Sequence, residues 1–263
     1  LQRVVTTRSA MINIPIPLLW GLAALAALTA GRGISVLAPA LVRFLEARWQ
    51  LEMADEAGCK VMSRRLPGAL PALWAQRRQA RLLIPLLDQR RHHLAWEITA
   101  LAASLVALAH GGMTLEGWVA VGVTWALLAL IHTDLSDFLL LDCMVYPLLW
   151  AGLLWRASGH GDAIEGIYGA FFAYAALWGV AEGYGAMRGM KMMGNGDFKL
   201  AAALGAWLGW QALPLLFLIA CVLALLLALL LTKTRRSSLG NPLPFGPALA
   251  VAGWFLLLLQ FTA

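Results

Sequence analysis

The chain has 263 residues, 61% of them hydrophobic and 13% charged, and a net charge of +6. That leaves too little polar surface for a water-soluble domain of this length. The basic excess is clustered, not spread, which excludes a nucleic-acid groove and fits a membrane protein whose cationic loops lie on one side.

Arg3 and Arg8 precede the first apolar run, Ile14 to Ala30. It is too long for a secretory leader and is followed by many further runs, so it is expected to be the first span, ending at Gly31-Arg32-Gly33. Arg43 to His93 reads as a cytoplasmic loop broken by Pro67 and Pro71, and Arg43 to Arg91 holds ten of the twenty basic residues. Within it, Arg77 to Asp88 has the pattern of either an amphipathic helix drawn to anionic lipid or a solvated connector. Further spans are expected at Leu94 to Ala109, Trp118 to Ile131, Leu139 to Trp155 and Ala163 to Val180. A short sixth run, Leu200 to Trp210, is separated at Pro214 from Leu215 to Thr232, which carries no charge at all, and Gly246 to Phe261 comes last. About 20 apolar residues cross a bilayer core, and in lipid such runs satisfy their own backbone as helices. The expected fold is therefore all-α, a polytopic helical membrane protein with about eight transmembrane helices. Residues 1–93 form an N-terminal span plus basic loop, and residues 94–263 a membrane-embedded domain.

Charge sets the orientation. The Arg43 to Arg91 region, the Arg188, Lys191 and Lys199 group and the Lys233, Arg235 and Arg236 group belong on the cytoplasmic side. The turns at Gly111 to Glu116 and Trp210 to Pro214, which lack Lys and Arg, belong outside. His132 to Asp142 and Arg188 to Asp197 then share the cytoplasmic face.

Ionisable groups in or at the edge of spans are costly, so they are functional candidates: Glu97, Asp134, Asp137, Asp142, Glu165, Glu182 and Asp197. The topology brings Asp134, Asp137 and Asp142 to the level of Asp197, which sits in Gly194-Asn195-Gly196-Asp197. Two carboxylates sharing a low-dielectric site cannot both ionise; one takes a proton from water while the other donates to a peptide carbonyl. Gly194 and Gly196 offer backbone that can bend and approach a substrate strand. Each acid also has a plainer reading: Asp137, Asp142 and Asp197 as helix caps, and Glu97 and Glu182 as partners of arginines such as Arg188. Lys199 reads as an interfacial anchor, His132 as an interfacial polar residue, and the twelve tryptophans as interface belts and packing. The five histidines and the isolated Cys59, Cys143 and Cys221 show no metal-ligand spacing. A second function class stays open on the residues alone, a proton- or ion-coupled transporter using Asp134, Asp197 and Glu182. The gathering of acids at one face, not along a path, speaks against it.

The segments KMMGNGDFKLAAALGAWLGW and TDLSDFLLLDCMVYPLLW, their separation, and the terminal PLPFGPALAVAGW closely resemble the type IV prepilin leader peptidases, over Leu94 to the end of the chain. The resemblance implies an aspartic endopeptidase of the bacterial inner membrane with its active site facing the cytoplasm. Its substrates would be prepilins and type II secretion pseudopilins, whose short basic leader it removes. By position, Asp134 and Asp197 match the two catalytic aspartates, with Gly194, Gly196, Asp142 and Lys199 in supporting or substrate-binding places. Proteolysis needs no cofactor, and the implied partners are the substrates and membrane lipid, with no nucleic acid. Ser136, Asp137 and Leu141 depart from the family's usual residues without removing a catalytic position. Many members carry paired Cys-x-x-Cys motifs in the first loop; with Cys59 alone there, zinc is not expected. Many also methylate the new N-terminus with S-adenosylmethionine, but residues 1–93 keep only a degenerate version of that region, around Gly33-Ile34-Ser35-Val36-Leu37. An inactive assembly factor of the secretion machinery is the remaining alternative.

Overall fold

The computed structural model describes residues 16–58, 89–188, 193–233 and 244–261. These form eight α-helices: α1 (Ile16–Gly58), α2 (Gln89–Gly111), α3 (Leu115–Asp137), α4 (Asp142–Trp155), α5 (Ala163–Arg188), α6 (Asn195–Leu208), α7 (Leu213–Lys233) and α8 (Gly246–Gln260). Five of them contain stretches long and apolar enough to cross a membrane, at Trp20–Leu45, Leu94–Gly111, Leu115–Asp137, Ala163–Met187 and Trp210–Leu229. The chain is an all-α, polytopic membrane protein. Each of the eight expected runs returns as a helix, but α4, α6 and α8 have 14, 14 and 15 residues, short of the length a bilayer core takes.

The N-terminal boundaries need correcting. Gly31-Arg32-Gly33 does not end the first helix; α1 continues through Pro39 to Gly58, so Arg43 lies in a helix and not in a loop. The missing side chain at Gly31 serves packing instead, since a β-carbon there would sit 2.7 Å from the Glu97 Cα on α2. The expected surface helix at Arg77 to Asp88 and Cys59 fall outside the described residues.

In lipid, helices associate by close packing and hydrogen bonds, since their apolar surfaces gain nothing by leaving a solvent equally apolar. That explains how α6 is held. Phe198, Leu200 to Leu208 and Asp197 on this helix are all buried. It packs against α4, α5 and α8, each of which offers a glycine notch. Gly152 on α4 receives the Trp207 ring, and Gly253 on α8 receives Leu204. Gly169 on α5 meets Gly205 of α6 backbone to backbone. Buried hydroxyls bond back to their own helix, as Ser104 does to the Ala100 carbonyl (2.6 Å) and Thr124 to that of Ala120 (2.7 Å). Three tryptophans also donate inside the bundle: Trp125 to Ser104 Oγ, Trp254 to Thr124 Oγ1 and Trp207 to the Leu148 carbonyl. Others, such as Trp150 and Trp178, are exposed on the outer surface of the bundle.

One end of the bundle is tied by a buried cation. Arg156, 4% exposed, follows α4 in a short π-helical turn, Arg156–His160. Its guanidinium donates to the Asp162 carbonyl (2.9 Å), the Trp207 carbonyl (2.9 Å) and Glu165 Oε2 (2.8 Å). Gln211 donates to the other oxygen of Glu165 (2.6 Å). This knot joins the end of α4, the start of α5 and the C-terminus of α6, where free carbonyls favour a cation.

Candidate active site

The opposite end carries the aspartates. Asp134 lies one turn before the end of α3, which closes with Phe138 in the left-handed region (φ 51°) and its N–H on the Asp134 carbonyl (3.0 Å). The cap turns the chain through Phe138 to Leu141 into α4. Asp197 lies in the first turn of α6, whose N-cap is Gly194. The N-cap position is thus Gly194 and not Asp197, which is the third residue of the helix, with its amide on the Gly194 carbonyl (3.2 Å).

Both carboxylates are buried, Asp134 to 6% and Asp197 to 9% exposure, and they are close enough for the charge of Asp197 to act on Asp134. The helix order brings them together: α3 ends, and α6 begins, at the same end of the bundle. Leu140 sits between their supports. A β-carbon on Gly196 would stand 2.8 Å from Leu140 Cβ, and one on Gly246 would stand 3.3 Å from Leu140 Cδ1. Gly246 opens α8 right against the Asp134 carboxylate; a β-carbon on it would stand 2.5 Å from Asp134 Oδ2. Among the described residues, Asp134 Oδ2 makes no hydrogen bond, a rare state for a buried oxygen and one that suits an acceptor for water or substrate.

The expected supporting residues take different parts. Gly194 and Gly196 are not in a left-handed conformation; Gly194 is extended (φ −74°, ψ 143°) and Gly196 is helical. Gly196 is required by the closeness of Leu140, not by a bend. Asp142 and Lys199 form a bidentate ion pair (2.7 and 2.8 Å) that clips the start of α4 to the start of α6, with Lys199 also 5.4 Å from the Tyr146 ring centre. Lys199 is thus a cross-helix partner and not a lone anchor. Asp137 is half-buried at the last residue of α3. Glu97 faces Arg32 at 3.8 Å, so its arginine partner is on α1, and Glu182 is exposed on α5. His132 is not interfacial; it is 2% exposed and packs edge-on against Trp96 (4.8 Å). Among the described residues no three His, Cys, Asp or Glu side chains gather in a way that would hold a metal ion.

Sequence reasoning missed Gly246, Leu140 and Arg156. Gly246 had a signal, since it lies in the PLPFGPALAVAGW segment that carries part of the resemblance. Leu140 and Arg156 had none, because an apolar residue in an apolar run and an arginine at a helix end look ordinary.

A model of the type IV leader peptidase family matches residues 121–229, a stretch that contains both aspartates. A prepilin leader peptidase/N-methyltransferase of Pseudomonas putida is 35% identical over 258 residues, covering 90% of this chain and 89% of the relative. Proteins of the same name from Pseudomonas aeruginosa and Aeromonas salmonicida are 41% identical over 170 residues and 43% identical over 176 residues. In each of these two cases the match covers 64% of this chain but only 58% of the relative, so the chain spans less than two thirds of their length. No solved structure matches. The chain belongs to the type IV leader peptidase family.

Proposed function

We propose that the protein is an aspartic endopeptidase that removes the basic leader of prepilins or pseudopilins at the cytoplasmic face of the bacterial inner membrane, with Asp134 and Asp197 as its catalytic pair. The observation that carries this reading is the meeting of two buried carboxylates from α3 and α6 at one end of the bundle, one of them with an uncommitted oxygen. The ionised carboxylate accepts a proton from a water molecule as that water attacks the scissile carbonyl carbon. The protonated partner donates to the carbonyl oxygen, giving a tetrahedral diol. Collapse breaks the C–N bond: the proton taken from water passes to the leaving amine, and a hydroxyl of the diol returns its proton to the carboxylate that had donated, leaving the carboxylic acid product. The pair ends with one proton, as it began.

The placement of the site follows from charge. With the basic segments in the cytoplasm, all eight helices count as crossings, the three short ones where the bundle locally thins the bilayer. Residues 94–263 are then the peptidase unit, and residues 1–93 an N-terminal span with its basic segment. Gly194, Gly196, Asp142 and Lys199 support the pair by shaping and clipping the start of α6. Methyl transfer is a separate matter. In α1, Ile34 packs into an apolar cluster with Ala100, Leu128 and Ala129, and the Ser35 hydroxyl is taken by the Arg32 carbonyl (2.9 Å). The peptidase reading does not depend on a site for S-adenosylmethionine.

The test is cleavage of a prepilin-like substrate by purified protein in detergent or liposomes. Asp134→Asn and Asp197→Asn should each abolish leader removal while the protein still inserts. Wild-type cleavage by either variant overturns the assignment. A proton or ion flux in liposomes that disappears with the same substitutions would instead support transport.

A further inference from the structure

We propose that Gly246 is a positioning residue of this site, and the proposal rests on the peptidase reading above. Its missing side chain lets the start of α8 abut the Asp134 carboxylate and keeps the approach to Asp134 Oδ2 clear. Gly246 lies beyond the segment matched by the family model, which ends at residue 229.

Three observations converge. First, α8 begins without a side-chain cap: Phe245 occupies the N-cap, and the proline in the first turn has no N–H to give. The Gly246 amide is therefore one of the few donors this helix end presents, and Gly246 abuts the Asp134 carboxylate on α3. The partial positive charge of a helix N-terminus favours a carboxylate there. Second, the space is tight. A β-carbon at position 246 would lie 2.5 Å from Asp134 Oδ2, closer than such a contact can be, and 3.1 Å from its Cγ, a tight one. Third, Oδ2, the oxygen that this β-carbon would strike, is the buried atom with no hydrogen bond among the described residues. Any side chain here would displace the reacting oxygen and fill the space through which water or the scissile carbonyl must reach it.

The requirement concerns space and not backbone conformation. Gly246 is helical and is not among the positive-φ glycines. Alanine is the better helix former, so Gly246→Ala should insert and fold, and its defect should appear in the chemistry.

The experiment is steady-state leader cleavage by the full chain, normalised to folded protein by size-exclusion profile and thermal midpoint. Gly246→Ala should lose at least tenfold in kcat with KM changed less than twofold. Gly122→Ala, on α3 where a β-carbon meets nothing within 4 Å, should cleave as the parent does. The double variant Leu140→Ala/Gly246→Ala separates the two neighbours of the new methyl group. If the defect arises at Asp134, trimming Leu140 leaves it in place. The proposal is overturned by wild-type kcat in Gly246→Ala, by a loss that vanishes on normalisation to folded protein, or by recovery in the double variant. Activity in Asp134→Asn would strike the peptidase reading itself, and is distinguishable because it does not involve position 246.

Discussion

The two ends of the bundle bury charge in opposite ways. At one, the Arg156 guanidinium is surrounded by acceptors from three segments, two carbonyls and the Glu165 carboxylate, and Gln211 completes Glu165. At the other, the buried carboxylates of Asp134 and Asp197 lie at the same end of the bundle, and Asp134 Oδ2 is left without a hydrogen bond among the described residues. A fully satisfied buried ion stiffens a structure; a buried acid short of partners costs stability and is kept where chemistry needs it. The same helix, α6, links the two, with Asp197 in its first turn and the carbonyl of Trp207 on Arg156 near its last. The satisfied end holds the helix whose other end is to react.

Substitutions should pull these roles apart. The largest effect is expected from Asp134→Asn or Asp197→Asn, on the order of 10²–10⁴-fold or more in cleavage rate. Their thermal midpoint in detergent should stay level or rise, because a buried acid is replaced by a neutral isostere. A falling midpoint would make the aspartates structural and erase the contrast. Next comes Gly205→Val, which forces α5 and α6 apart where their backbones touch. It should cost about 3 kcal/mol of stability, read as a loss of monodisperse protein on heating. Arg156→Met should follow at about 2 kcal/mol, discounted because Glu165 is partly exposed and keeps Gln211. Normalised to folded protein, its KM should be unchanged; a stable Arg156→Met protein would show that the knot is dispensable. The smallest effect is expected at the Lys199–Asp142 pair, which is half open to solvent. Lys199→Met should cost less than about 1 kcal/mol, and the cost should shrink as salt is raised.

Much of this was readable in advance, and the reason is visible at particular residues. Leu127, Leu204 and Leu216 lie in runs that are apolar in sequence, and each is fully buried in the structure. Charge clustering brought Asp134 and Asp197 to one face without knowledge of any contact. The failures are as instructive. Gly31-Arg32-Gly33 looks like a helix end because glycine and arginine often mark one, yet neighbouring α2 needs the glycine for close approach. His132 looks interfacial because it is polar, but Trp96 from another helix covers it. Gly196 looks like a hinge, whereas Leu140 sets its requirement.

By itself, the sequence determined the all-α membrane class, the positions of the apolar runs and the level at which the two acids lie. Those properties depend on local hydropathy and on the charge of each connecting segment, which are written along the chain. The tertiary structure alone decided which faces the helices turn to one another. From that came the burial of α6, the satisfied Arg156 knot and the close approach of Gly246 to Asp134. Such contacts join residues far apart in the chain, as Gly246 and Asp134 are, and depend on steric fit between helices that no single segment encodes.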